Sequence, residues 1–393
     1  MKNTDKKIAL VLSGGGFNGA FQLGAINYIN DNWKKITGMS TPMKFDLIAG
    51  VSAGALNGAL IAMDKLELLN DLWINKIGRN GVSEIFTSKI IDTTSKSEKV
   101  RLKLDIKSIS KQLVPEVDLQ VGLFKKLGVL FSKKKRKQLV DNLIVKVEKG
   151  IKANFSNIRS VADNTPLRRK LEKYVSQGEI KNTKFYCGFV SLDTGNYHSV
   201  CSDDFLSNED FVNGILASTS IPVIWKPVLK INFKTKNGVI KSTNNVDGGI
   251  RNVSPLGDVI KLINNESEDY KIIVINCNSG SVKQEDFGMK SLGAIASRSV
   301  YDISLTEIFN NDVNQFLQIN QLVKQAKQVC DNAVLTNKFS KELKTFDAIV
   351  INPDQDIELG SALVATEELI NHRVSHGKAM ARIAFEKKVF NNG

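Results

Sequence analysis

Three short glycine-flanked segments hold the side chains best suited to chemistry. The first is Gly50-Val51-Ser52-Ala53-Gly54. It lies between a stretch that reads as a strand, residues 45–49, and one that reads as a helix, residues 53–63. A serine at such a strand-to-helix turn presents its hydroxyl as a nucleophile, and the small neighbours Gly50 and Gly54 relieve the crowding. The N–H of Ala53 would then sit beside a reacting carbonyl. The second segment is Asp247-Gly248-Gly249. Asp-Gly is a common turn pair, but Gly248 and Gly249 also leave the carboxylate free to approach another backbone. A serine nucleophile needs a base to take its proton. The three histidines are poor candidates: His198 stands in a strand-like run, and His372 and His376 lie four residues apart on a terminal helix. Asp247 is the better base, in a two-residue Ser-Asp arrangement. The third segment is Gly14-Gly15-Gly16-Phe17-Asn18-Gly19. Backbone N–H groups converging before a helix favour a negative group. Three readings stay open here. Gly14, Gly15 and Gly16 have the character of an oxyanion hole. Gly14, Gly16 and Gly19 also have the G-x-G-x-x-G spacing of a dinucleotide site, and a plain tight turn would use the same glycines.

These segments need elements that bring strand ends together. Residues 8–13 are a short apolar run ending in glycines, and residues 17–32 place Phe21, Ala25, Ile26 and Ile29 at helical spacing. With residues 45–49 and 53–63 this makes a β-α-β-α opening, which predicts an α/β fold on a mostly parallel sheet. Residues 184–192 and 197–201 read as a strand pair across Asp193-Thr194-Gly195-Asn196, and residues 211–217 as a short helix. Residues 228–233 and 239–242 read as a hairpin. Residues 271–277 and 346–352 read as strands, residues 291–334 as helix throughout, and residues 364–388 as a closing helix.

The chain of 393 residues carries a formal charge of +13. The excess is local: residues 89–152 hold 17 Lys and Arg against 7 Asp and Glu, so the rest is nearly neutral. This stretch interrupts the α/β alternation and reads as an insertion. Within it, Leu123, Phe124 and Leu127 continue to Leu130 and Phe131 along one helical face, beside Lys133, Lys134, Lys135, Arg136 and Lys137. An apolar face next to a basic cluster suits an interfacial anchor on anionic lipid. A helix packed on the core beside a solvated charge run is the alternative. Nucleic acid is not expected as a partner, since no aromatic interleaving accompanies the cluster. No run of 18 apolar residues exists, and no signal-peptide pattern opens the chain, so a cytoplasmic location with peripheral membrane contact is expected. The four cysteines have no metal-ligand or disulfide spacing; they are expected as buried reduced thiols, with no metal.

The order of glycine loop, G-x-S-x-G and D-G-G resembles the patatin-like phospholipases. Two more stretches look like that family: residues 163–171, Asp-Asn-Thr-Pro-Leu-Arg-Arg-Lys-Leu, and Ala217-Ser218-Thr219-Ser220-Ile221-Pro222-Val223-Ile224-Trp225-Lys226-Pro227. The resemblance implies a three-layer α/β/α fold with a central, mostly parallel sheet. It covers a core of residues 6–260, with the basic insertion at about 78–160, and residues 261–393 form a C-terminal α/β extension packed on the same domain. It also implies hydrolysis of fatty acyl esters of phospholipids, with Ser52 as nucleophile, Asp247 as base, Gly14, Gly15, Gly16 and Ala53 around the oxyanion, and no cofactor. One departure stands out. Many members carry Arg or Lys where this chain has Asn18, so a catalytically impaired or binding-only member is a second reading. A dinucleotide-binding oxidoreductase is a third. It would require an acidic residue at the end of the second strand, whereas Asp31 comes too early and Asp46 stands at a strand start.

Overall fold

The computed structural model describes residues 6–88, 92–93, 160–264, 266, 268–282, 284–288, 295, 298–336 and 342–390. The sheet has eight strands in the order β5-β6-β3-β2-β1-β7-β8, with β4 paired to β3 off this path. Its parallel centre comprises β1 (Lys7–Leu12), β2 (Leu47–Val51), the start of β3 (Lys184–Ser191), β7 (Tyr270–Ile275) and β8 (Asp347–Ile351). β4 (Tyr197–Cys201), β5 (Val228–Thr235) and β6 (Gly238–Asp247) are the antiparallel members. The fold is thus α/β with a mostly parallel central sheet, as expected.

Side-chain alternation divides the core into two layers. Ile8, Leu10 and Leu12 of β1 pack with α1 (Gly19–Asp31), α2 (Ala53–Ala62), α4 (Asn208–Ser218) and α7 (Glu367–Phe390). Ala9 and Val11 of the same strand face α5 (Leu256–Ile263) and α6 (Leu305–Val329). Both faces of the central strands are therefore buried, which is why they read as continuous apolar runs. α3 (Thr165–Tyr174) starts with Pro166 in its first turn and packs on α4. α1 and α7 cross at glycines: a Cβ on Gly24 would overlap the Val374 carbonyl, and one on Gly377 the Phe21 carbonyl.

β3 brings the two chemical segments together. One of its edges pairs with β4, from Tyr186 opposite Cys201 to Val190 opposite Tyr197. The other edge pairs first with β2, which ends at Val51 opposite Gly188. It then pairs with β6, whose last residue, Asp247, lies opposite Phe189. β2 and β6 therefore meet end to end along one edge, and Ser52 and Asp247 stand at the junction. The glycine loop joins them because β1 is next to β2. The sheet also continues from β1 to β7 on the other side, and such a change of direction leaves a crevice at the strand ends.

Three expectations need correction. Of the helix expected over residues 291–334, the described residues show Ile295 as helical, a π-helical turn, Arg298–Ser304, and α6, which stops at Val329. Cys330 is extended there, and Asp331-Asn332 form a turn, a role both residues favour. Cys330, expected to be buried, is exposed, while Cys187, Cys201 and Cys277 are buried free thiols. The hairpin strand expected to end at residue 242 runs on to Asp247, its polar stretch Ser242-Thr243-Asn244-Asn245 pairing with β5 and β3. Leu123, Phe124, Leu127, Lys133, Lys134, Lys135, Arg136 and Lys137 lie outside the described residues. Among the described residues no helix is long and apolar enough to cross a membrane.

Candidate active site

Ser52 sits at the turn between β2 and α2 with φ 55 and ψ −124, a conformation that non-glycine residues rarely adopt. The turn is tight enough that a Cβ on Gly50 would overlap the Gly54 carbonyl, and a Cβ on Gly54 the Leu12 carbonyl. Small residues at both positions are thus a steric requirement of the elbow. The Ser52 N–H donates to Ser218 Oγ at 3.0 Å. The Asp247 N–H donates to the Ser220 carbonyl at 2.9 Å. Ser218, the last residue of α4, and Ser220, just after it, therefore hold the two backbones.

The Ser52 hydroxyl lies close enough to the Asp247 carboxylate to stabilise its charged form. The Gly249 N–H donates to Asp247 Oδ1 at 2.7 Å. Asp247 is buried, and burial pushes its carboxyl up to about 7, against the opposing pull of these two neighbours. The carboxylate is thus poised near neutral pH, where it can exchange a proton with the serine. Neither Ser52 nor Asp247 hydrogen-bonds a histidine: His198 packs between Phe189 and Phe233, and His376 Nε2 accepts from the Asp354 N–H.

The glycine loop faces the same junction, but its donor set is narrower than expected. The Gly14 N–H donates to the Val253 carbonyl at 2.9 Å and so is not free to hold an oxyanion. Gly14 has a different role: a Cβ there would come 3.2 Å from the Ser52 Cβ, so the glycine makes room for Ser52. The Gly15 and Gly16 N–H groups donate to no protein group among the described residues, and Ala53 supplies the first N–H of α2, which has no partner within its helix. The Asn18 Oδ1 is buried with no hydrogen-bond partner among the described residues.

A cleft of about 920 Å³, its open mouth included, begins at Gly16, Ser52 and Ala53. It follows one face of α2 past Leu56 to Leu60, with Leu167 and Leu171 of α3 among its walls. Its lining is almost wholly apolar; the Lys170 ammonium is paired with Glu84 at 2.6 Å. Ile85 also lines this cleft, and Thr87 pairs with Asp163.

The model of the patatin-like phospholipase family matches residues 10–260. The chain belongs to that family. Comparison with curated proteins finds no match. Among solved structures, VipD from Legionella pneumophila is similar at 14% identity and a TM-score of 0.37, over 98% of this chain and 67% of VipD. ExoU, solved in complex with SpcU from the type III secretion system of Pseudomonas aeruginosa, is similar at 13% identity and a TM-score of 0.30, over 97% of this chain and 52% of ExoU. The chain thus spans about two thirds of VipD and about half of ExoU.

Sequence reasoning missed several residues that shape this patatin-like site. Gln22 Nε2 donates to the Ser13 carbonyl at 2.9 Å, Asn57 Nδ2 donates to Gln22 Oε1 at 2.9 Å, and Trp73 Nε1 donates to Asn57 Oδ1 at 2.8 Å. This buried chain of bonds ties the base of the glycine loop to α2. The loop's outer side is held by residues 359–364. The Phe17 N–H donates to the Ala362 carbonyl at 2.8 Å, and the Ala362 carbonyl packs directly on Gly16. Arg373 of α7 is fully buried and holds that segment, donating to the carbonyls of Leu359 at 2.8 Å, Val364 at 2.8 Å and Ser361 at 2.9 Å. Burial lowers the guanidinium to about 10, still cationic at neutral pH. A signal for it was present: Arg373 falls on the apolar face of α7 with Ile370, Gly377 and Ala381.

Proposed function

We propose that the protein is a lipid acyl hydrolase of the phospholipase A type. The observation that carries this reading is a serine beside a buried carboxylate, where β2 and β6 meet, at the head of an apolar cleft. Asp247 takes the proton as Ser52 Oγ attacks the ester carbonyl. The negative oxygen of the tetrahedral intermediate is held by the N–H groups of Gly15, Gly16 and Ala53. Collapse expels the lysolipid alkoxide, which receives the proton from Asp247. Water, deprotonated by the same carboxylate, then releases the fatty acid and restores Ser52. The acyl chain lies along α2 in the cleft, and hydrocarbon is the ligand its lining suits. No metal or organic cofactor enters the scheme. The dinucleotide reading fits poorly, because the Ala362 carbonyl occupies the space against Gly16 and takes the Phe17 N–H that a pyrophosphate would need.

A serine-directed fluorophosphonate is expected to label the wild-type chain. Labelling should vanish in Ser52→Ala and slow by about 10²–10⁴ in Asp247→Ala. Its rate should rise with pH through about 7, because only the ionised Asp247 can act as base. Below that value it should fall about tenfold per pH unit. Unchanged labelling of Ser52→Ala would remove Ser52 from the mechanism, and a flat profile between pH 5 and 8 would remove Asp247.

A further inference from the structure

Val223 is in an uncommon state on two counts. Its φ is 71, a left-handed backbone that a β-branched residue adopts only when its surroundings impose it. Its side chain is also 73% exposed, the most exposed apolar residue in the segment 221–225. The backbone around it is fixed from several sides. The Val161 N–H donates to the Val223 carbonyl at 3.0 Å, and the Ala162 N–H donates to the Ile224 carbonyl at 2.8 Å. Pro222 stiffens the chain on one side. On the other, Trp225 is buried with its ring edge against Phe86. Ile221 and Trp225 line the cleft that starts at Ser52, so this segment forms part of the cleft rim. Val223 is the apex of that rim.

A rigid, strained turn that holds an apolar side chain outward gains nothing in water. Asn or Gly would adopt the same backbone more easily. The surrounding charge indicates what would reward it. Lys226, on the same segment, and Arg169, on α3, are exposed and lie close enough to act on the carboxylate of Asp163. Asp163 itself turns back onto Thr165, whose N–H donates to Oδ1 at 2.8 Å. An apolar apex flanked by two cations suits the surface of an anionic phospholipid bilayer, with Val223 below the headgroups and Lys226 and Arg169 at their level.

We infer that the rim segment 221–226 seats the mouth of the cleft on an anionic bilayer, with Val223 as the inserted side chain. This rests on the phospholipase reading, since a lipid cleft must meet an aggregated substrate. Binding is measured without turnover, in the Ser52→Ala background, by co-sedimentation with vesicles of phosphatidylglycerol and phosphatidylcholine. Val223→Asn is expected to bind about tenfold more weakly, the loss expected for one buried Val side chain. Its melting temperature should be equal or higher, because Asn tolerates the left-handed backbone. Lys226→Glu should weaken binding to anionic vesicles several-fold and leave binding to pure phosphatidylcholine unchanged. With Ser52 intact, Val223→Asn should hydrolyse a soluble p-nitrophenyl ester at the wild-type rate. Unaltered vesicle affinity of Val223→Asn overturns the inference, as does an equal loss on the soluble ester, which would make Val223 a shaper of the cleft. If no form hydrolyses the ester, the enzymatic reading fails while the binding comparison still decides this one.

Discussion

Asp247→Asn is expected to abolish turnover and at the same time stabilise the protein above neutral pH. Turnover should fall by at least about 10³, because the amide cannot accept the Ser52 proton. The stability gain follows from burial. The carboxyl titrates near 3.8 in an ordinary setting and at about 7 in the folded chain, chiefly because it is desolvated. The folded state therefore holds more protons than the unfolded state between about pH 4 and pH 7. Wild-type stability must fall as pH rises through that window, and the loss is complete above it. The gap corresponds to a penalty on the order of 4 kcal/mol for keeping a charged carboxylate at this place. Asn removes the charge yet can still accept from the Gly249 N–H. Urea denaturation should show the Asn variant more stable at pH 8.5, with the advantage shrinking as the pH is lowered towards 4. A variant less stable than wild type at pH 8.5 would mean that the charged form is better solvated than its burial implies.

Arg373→Met should have the largest effect of any substitution outside Ser52 and Asp247. Met fills comparable space but leaves the carbonyls of Leu359 and Val364 without the donor that now satisfies them, while the Ser361 carbonyl keeps the Val364 N–H. Orphaning buried polar groups of this kind costs about 1–3 kcal/mol each, so a loss of at least about 2 kcal/mol is expected in urea denaturation. The effect should reach the active site, because residues 359–364 hold the glycine loop through the Phe17 N–H and the packing of Ala362 on Gly16. In any folded fraction, fluorophosphonate labelling of Ser52 should slow more than binding of a soluble ester weakens. Arg373→Lys keeps the charge but loses the fork of donors, and should fall between the two. Full stability in Arg373→Met would show that the segment holds itself in place.

The residues that were easiest to read are those whose pattern is local. The β1-α1-β2-α2 opening was legible because both faces of its strands are buried and its helices carry regular apolar spacing. Ser52 was legible because a strand, a serine between glycines and a helix are contiguous in sequence. Pairing Ser52 with Asp247 is expected from the glycines beside the carboxylate and from the family resemblance, but the geometry that brings them together was not legible. It depends on β2 and β6 sharing one edge of β3, a non-local register that no spacing encodes. The last part of β6 was hidden as well, since Ser242 to Asn245 are polar and read as the end of a hairpin. The donor role assigned to Gly14 failed for a similar reason: its partner, the Val253 carbonyl, is more than two hundred residues away. Arg373 stands on the apolar face of α7, yet Arg is seldom fully buried, so its position alone does not mark it as a core residue. Only three-dimensional convergence reveals the carbonyls that hold it.

The most direct test of the central claim is release of free fatty acid from vesicles of phosphatidylglycerol and phosphatidylcholine by the wild-type chain and by Ser52→Ala. The expected result is steady release by wild type, rising through about pH 7, and no release above background by Ser52→Ala. Equal release by both, or none by either, would contradict the assignment of this site as a lipid acyl hydrolase.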